Sequence, residues 1–153
     1  MSTPGEPRHA WSVRISANEP GVSRAFVRRH RFLVGDPVQF DAAYPHVTAL
    51  EYALVALGAE LAGGLRALAR TRRVAIEELE ALVTGELNNP LICLGVLGET
   101  GHPGLERVRV KLYVRAPDPE AVRALWDTLL ARSPLTCTLR AAVRLELELA
   151  VER

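Results

Sequence analysis

One carboxylate interrupts the most apolar stretch of the chain. The segment LEYALVALGAELAGGLRALA covers residues 50–69, and Glu60 is its only charged residue between Glu51 and Arg66. A carboxylate in a closely packed apolar setting is costly unless it is paired, hydrogen-bonded or protonated. Such carboxylates are frequent at catalytic and binding sites, so Glu60 is a candidate functional residue. The alternatives are that Glu60 pairs with an arginine or extends into water.

The cysteines and histidines offer less chemistry than this carboxylate. Cys93 and Cys137 are the only cysteines, and they form neither a CxxC motif nor a disulfide framework. Each is expected to be a small buried apolar residue, because free cysteine is among the most buried residue types. The four histidines are scattered without ligand spacing, so the sequence predicts no metal site and no cofactor.

Composition limits the class of protein. With 153 residues, of which 48% are hydrophobic, the chain is predicted to form a single domain over residues 1–153, with a flexible N-terminus at residues 1–9. A net charge of +1 lacks the basic excess of a nucleic-acid binder, so no nucleic-acid partner is expected. The polar N-terminus MSTPGEPRHA has no signal-peptide pattern, which predicts a cytoplasmic protein.

The apolar segment is predicted to be a buried helix and not a membrane span, because its uncharged run is shorter than the roughly 20 residues that cross a bilayer. Thr48 is a suitable N-cap with Glu51 in capping-box position, and the helix is predicted to end near Arg73. One face is a leucine stripe at helical spacing: Leu50, Leu54, Leu57, Leu61, Leu65 and Leu68. A second stripe contains small residues around Glu60: Ala49, Ala53, Ala56, Gly63 and Ala67.

The remaining pattern predicts an α+β fold. WSVRIS and SRAFVRRHRFLV, separated by the turn segment ANEPGV, are typical of hairpin strands. After the long helix, EELEALVTGEL and ERVRVKLYVR alternate as half-buried strands, with an irregular loop between them. Asp118 and Ser133 are predicted to cap two further helices, and VRLELELAVE is the last strand. The order is β(3)-α-β(2)-α(2)-β.

Charge predicts the order of the last three strands. The outward positions of ERVRVKLYVR are basic, whereas those of the other two strands are mainly acidic. Opposite charges on adjacent strands stabilise a sheet by roughly 0.2–1 kcal/mol per pair, and like charges destabilise it. The basic strand is therefore predicted to lie between the acidic ones, although Arg144 breaks the acidic pattern.

Four segments, in this order and spacing, resemble the OsmC/Ohr family of osmotically inducible and organic-hydroperoxide-resistance proteins. They are TALEYALVALGAELA, VTGEL, HPGLERVRVKLYV and ARSPLTCTL, and the resemblance runs from about Ser23 to the C-terminus. It implies the OsmC-like fold, an intertwined homodimer whose sheets wrap around long central helices, and a role in oxidative stress.

The resemblance also implies where the family's chemistry would lie. Its peroxidases use one cysteine in the central helix to attack the peroxide, and a second at the start of a later helix resolves it as a disulfide. In this sequence those positions hold Glu60 and Ser133, and a carboxylate cannot undergo the sulfenic acid chemistry of a thiolate. Glu51 matches the family's supporting glutamate. The supporting arginine corresponds to one of four candidates: Arg24, Arg28, Arg29 and Arg31.

Three functions are compatible with this pattern. The leading one is a homodimer that has lost thiol peroxidase activity and binds a small apolar ligand in the pocket between its subunits. Glu60 is then expected to be buried at the interface. The favoured arrangement pairs it with one of the four arginines, and the other leaves a neutral carboxylic acid that could donate to a ligand or act as a general acid. The second is an organic hydroperoxide reductase that uses Cys137 or Cys93. The third is a structural or interaction dimer without a ligand.

Overall fold

The computed structural model describes residues 9–153. Its elements are β1 (Arg14–Glu19), β2 (Val22–Val27), β3 (His30–Val34), α1 (Ala49–Arg72), β4 (Glu78–Leu87), α2 (Pro90–Cys93), β5 (Leu105–Arg115), α3 (Pro119–Arg132), α4 (Pro134–Arg140) and β6 (Arg144–Glu152). The predicted α+β order is confirmed, with α2 as an additional short helix. The flexible terminus predicted for residues 1–9 falls, apart from His9, outside the described residues.

The contacts divide the chain into two compact units, of which the first ends at Tyr52 and the second begins at Ala53. The single domain over residues 1–153 stays a prediction. The first unit contains an antiparallel sheet in the order β1-β2-β3, which confirms the predicted hairpins. Gly21 closes the first hairpin with a φ of 73°, a left-handed conformation that costs glycine no steric penalty.

The second unit contains the other sheet, in which β5 lies between β4 and β6. The strand pairs antiparallel with β4 and parallel with β6. One face of β5 is fully buried and belongs to a core that also contains leucines of α1 and α3. The residues of β5 on that face are Val108, Val110, Leu112 and Val114.

The outer face of this sheet confirms the strand order predicted from charge. Arg109 on β5 forms ion pairs with Glu86 on β4 at 3.4 Å and with Glu146 on β6 at 3.0 Å. Arg144, which broke the acidic pattern, lies opposite Arg107 in the register and pairs with Glu146 at 3.0 Å. Glu146 also pairs with Arg107 at 3.6 Å, so it compensates for the two like charges.

The leucine stripe of α1 is the core face, as predicted. Leu57, Leu61 and Leu65 have no exposed surface, whereas the small-residue row stays exposed in the single chain around a half-buried Glu60. By length and composition alone, α1 is apolar enough to cross a membrane. Leu57, Leu61 and Leu65 lie in the core of the second unit, and Leu54 and Leu68 pack against it, so α1 is a core helix of that unit.

The loop between β4 and β5 is more ordered than the sequence predicted. Asn89 caps α2 by accepting the Leu91 N–H at 3.0 Å, and Pro90 occupies the first turn. Proline suits this position because its missing N–H would have no partner inside the helix. The Asn-Pro pair was therefore a helix-start signal within a segment whose glycines suggested an irregular loop.

Candidate functional site

Glu60 lies on α1, and its carboxylate reaches the start of α4. Its Oε1 accepts the hydroxyl proton of Ser133, and its two oxygens accept the Leu135 N–H at 3.2 and 3.3 Å. The residue is half-buried. These bonds join two helices that are far apart in the sequence.

The first turn of α4 explains why a carboxylate is useful here. The initial N–H groups of a helix have no partner inside it and need acceptors from elsewhere. Pro134 has no N–H, the Thr136 N–H bonds the Ser133 Oγ at 3.1 Å, and the Cys137 N–H bonds the Ser133 carbonyl at 3.0 Å. The Leu135 N–H has no acceptor within this turn, and Glu60 supplies one. Ser133 is the N-cap that the sequence predicted.

The hydrogen bonds of Glu60 hold the start of α4 against α1. Ser133 is only 2% exposed and Thr136 is fully buried, so a substrate has no access to the serine hydroxyl in the single chain. Neither Glu60 nor Ser133 carries a thiol. Hydrogen bonds to a charged group contribute about 1.5–3 kcal/mol, so the Glu60 carboxylate is a substantial tether between α1 and α4.

Glu51, the second candidate carboxylate, completes the capping box predicted at the start of α1. Its Oε2 accepts the Thr48 N–H at 2.8 Å, and the Thr48 Oγ1 accepts the Glu51 N–H at 3.1 Å. The Thr48 N–H, followed by the Thr48 hydroxyl, lowers the pKa of Glu51 below its ordinary value. The role of Glu51 as a support for chemistry stays a prediction.

The candidate arginines all lie in the first unit. Arg24 is on β2 and pairs with Glu19 at 2.6 Å. Arg28 and Arg29 form the turn between β2 and β3, where Arg28 has a φ of 54°. Arg31 lies on β3 opposite Phe26. The pairing of one of them with Glu60 stays a prediction, and none of the ion pairs within residues 53–153 includes Glu60.

The burial predicted for the cysteines is wrong, because Cys93 and Cys137 are both free and exposed. Cys93 ends α2, and its thiol lies 3.5 Å from the Pro103 carbonyl oxygen. Cys137 follows the buried Thr136 in α4. Neighbouring positions of an α-helix differ by about 100° in direction, so the residue after Thr136 turns away from the core.

Neither the potential metal ligands of residues 9–153 nor the two depressions on the second sheet extend the Glu60 site. Among residues 9–153, no three His, Cys, Asp or Glu side chains are grouped to hold a metal ion. Two depressions of about 430 and 480 Å³ lie on the sheet of the second unit, and charged and apolar residues, most of them on β4, β5 and β6, line them. Glu60 lines neither of them.

The sequence did not lead us to predict two hydrogen-bonding groups at this site. The Leu135 N–H and the Thr136 hydroxyl both belong to it, and the Thr136 Oγ1 lies 2.8 Å from the Ser133 Oγ. An available signal was the spacing of SPLT, since an N-cap serine accepts the N–H two or three positions further on. No local pattern indicated that Leu135 would find its acceptor on another helix.

The fold resembles that of solved OsmC and Ohr structures. An OsmC-like protein from Mycoplasma pneumoniae superposes with a TM-score of 0.76 at 17% identity, covering 95% of this chain and 99% of that chain. An organic hydroperoxide resistance protein OsmC from Legionella pneumophila gives 0.67 at 11% identity, over 95% and 99% of the two chains. The organic hydroperoxide resistance protein OhrB of Bacillus subtilis gives 0.58 at 17% identity, over 92% and 98%.

Identities this low establish the fold and leave the activity open. No curated protein matches the chain in sequence. The model of the family described as OsmC-like protein matches residues 42–148. That range contains Glu51, Glu60 and Ser133, and the resemblance found in the four sequence segments is confirmed. The chain belongs to the OsmC-like protein family.

Proposed function

We propose that this OsmC-like protein is a homodimer without thiol peroxidase activity that binds a small apolar molecule between its subunits, near Glu60. Membership of the family supports a role related to hydroperoxides or oxidative stress. The observation that carries the proposal is the hydrogen bond between Glu60 and Ser133. It links the two positions at which the sequence resemblance places the family's thiols, and neither side chain can form a sulfenic acid or a disulfide.

The surface of α1 supports the dimer and the position of its pocket. The row of small residues beside Glu60 is exposed in the single chain, as is Val55, which is 56% exposed. Small residues let another helix approach closely, and an exposed apolar patch of this kind is typical of a protein interface. A second copy that covers this row would also cover the half-buried Glu60, which lies in the same row.

A peroxide-consumption assay tests the proposed loss of activity. Purified protein is mixed with an organic hydroperoxide and a dithiol reductant, and a family peroxidase serves as the positive control. We expect no turnover above the rate without protein. Robust turnover would reject the proposal.

Native mass spectrometry tests the proposed pocket. The spectrum of the purified dimer is compared with that of the denatured chain, and an Ala56→Arg variant is the matched control because the arginine would obstruct the small-residue row. We expect a small apolar molecule that leaves on denaturation and is absent from the variant. A dimer that carries no molecule, and that binds no apolar fluorescent probe, would favour the third candidate, a structural or interaction dimer.

The alternative candidate is a cysteine-dependent hydroperoxide reductase. The exposure of both free cysteines favours it over a purely structural role for these thiols. Cys137 lies one helical turn beyond Ser133, whereas Cys93 ends α2. Turnover that disappears with Cys137→Ser or with Cys93→Ser would establish this activity and identify the thiol.

A further inference from the structure

The hydroxyls of Ser133 and Thr136 raise the question of which one donates to the other. The Ser133 Oγ is within hydrogen-bond distance of the Glu60 Oε1 and lies 2.8 Å from the Thr136 Oγ1. A hydroxyl has a single proton, so Ser133 can donate to only one of these oxygens. The choice decides whether Glu60 acts as a hydrogen-bond acceptor or as a donor.

Burial decides between the two arrangements. Thr136 has no exposed surface, and within residues 53–153 its hydroxyl has no hydrogen-bond partner except the Ser133 Oγ. If Ser133 donated to Thr136, the Thr136 proton would be buried without an acceptor, which is unfavourable. If Thr136 donates to Ser133, the Ser133 proton is free for Glu60 and every hydroxyl proton has a partner.

The neighbouring backbone N–H groups favour the same arrangement, in which Ser133 donates to Glu60. The Leu135 N–H is directed at both oxygens of Glu60, and the Thr136 N–H is directed at the Ser133 Oγ. An ionised carboxylate accepts hydrogen bonds through both oxygens, whereas a protonated one must place a proton on one of them. Two donors, the Ser133 hydroxyl and the Leu135 N–H, therefore converge on Glu60, as they would on an ionised carboxylate.

We propose that Thr136, Ser133 and Glu60 form a one-way hydrogen-bond chain that ends on an ionised Glu60, with Thr136 as the positioning residue for the Ser133 hydroxyl. Each bond in such a chain polarises the next and strengthens it. In this chain Glu60 is the acceptor, and not the donor, of its hydrogen bond with Ser133. The proposal concerns one protein chain and requires neither a ligand nor a second subunit.

Infrared spectroscopy with isotope-labelled glutamate carboxyl carbons tests the charge of Glu60. The spectrum of Glu60→Gln is subtracted from that of the unsubstituted protein at neutral pH. We expect carboxylate bands in the difference and no carbonyl band of a carboxylic acid. A carboxylic acid band would overturn the proposal.

Two substitutions of Thr136 test its positioning role. Thr136→Val removes the hydroxyl at nearly constant volume, and Thr136→Ser keeps it. We expect the carboxyl carbon resonance of Glu60 to shift in Thr136→Val and to return toward its original position in Thr136→Ser. An unchanged Glu60 resonance in a folded Thr136→Val protein would overturn the positioning role. If Thr136→Val does not fold, Thr136→Ser decides, because loss of the original Glu60 resonance in that variant would also overturn it.

Discussion

The hydroxyl of Ser133 donates a hydrogen bond to the carboxylate of Glu60, a residue 73 positions earlier in the chain. The same carboxylate accepts the Leu135 N–H, so one side chain of α1 satisfies two donors at the start of α4. The odd charge in the apolar helix is therefore the acceptor that a neighbouring helix requires.

Removing this acceptor should destabilise the second unit. Glu60→Ala leaves the buried Ser133 hydroxyl and the Leu135 N–H without their acceptor, and an unsatisfied buried donor costs about 1–3 kcal/mol. We expect the free energy of unfolding in urea to fall by an amount in this range. Glu106→Ala is the control, because Glu106 is exposed. Equal effects of the two substitutions would contradict the tether.

Cysteines placed at positions 60 and 133 should form a disulfide, because the side chains of Glu60 and Ser133 are in contact. Glu60→Cys and Ser133→Cys are combined in a protein that carries Cys93→Ser and Cys137→Ser, so that no other thiol is present. We expect peptide mapping of the oxidised protein to find positions 60 and 133 joined, with some hydroperoxide turnover restored. The single substitution Glu60→Cys is the control, and reduced thiols in the oxidised double variant would show that the two positions are not arranged as a thiol pair.

The proposed dimer should depend on the exposed row of α1. Ala56→Arg places a long charged side chain in that row, and it should convert the dimer to a monomer without unfolding the chain. Analytical ultracentrifugation measures the mass. Leu82→Arg is the matched control, since Leu82 is 57% exposed on the outer face of the sheet and should leave the dimer intact. A monomeric unsubstituted protein at micromolar concentration would refute the interface.

The contribution of the α1 capping box to the stability of the protein should depend on pH. The pKa of Glu51 is lower in the folded chain than its ordinary value of 4.5, so its contribution to stability is present above that value and is lost as the pH falls through the lower, folded value. We therefore expect Glu51→Gln to lower Tm at neutral pH, and the difference from the unsubstituted protein to shrink below pH 4.5. A constant difference across this range would argue against the capping contact.

Reversing the charge of Arg109 should destabilise the second sheet, and this loss of stability should depend on the salt concentration. Arg109→Glu places a third acidic group between Glu86 and Glu146, and like charges on adjacent strands cost roughly 0.2–1 kcal/mol per pair. We expect Tm to fall more than in Arg109→Gln, and the gap between the two variants to narrow with added salt, because exposed charges are screened. A gap that is unchanged by salt would mean that the effect is not electrostatic.

Local patterns predicted most of the secondary structure and the order of the second sheet. The alternating charges of β4, β5 and β6 carried enough information to place the basic strand in the centre, because each outward side chain needs a compatible neighbour. The capping box at Thr48 and Glu51 was also readable, since its partners are three residues apart. In each case the interacting groups either lie close in sequence or repeat along a strand.

The partner of Glu60 could not be predicted in this way. The bond to Ser133 depends on how α1 and α4 pack, and nothing near Glu60 in the sequence records that packing. The exposure of Cys137 was missed for a related reason, because the burial of free cysteine is a statistical tendency and the direction of a side chain is set by its position on the helix.

The parallel pairing of β5 with β6 has a consequence for the order in which the second unit folds. Strands that run parallel need a long connection between them, and here α3 and α4 provide it. The strand β5 therefore obtains its second neighbouring strand, β6, only after both helices have formed or collapsed into place. Because pairing between distant segments slows folding, the docking of β6 is expected to be a late event, and a nascent chain that has not reached Arg144 would leave the central strand with an open edge.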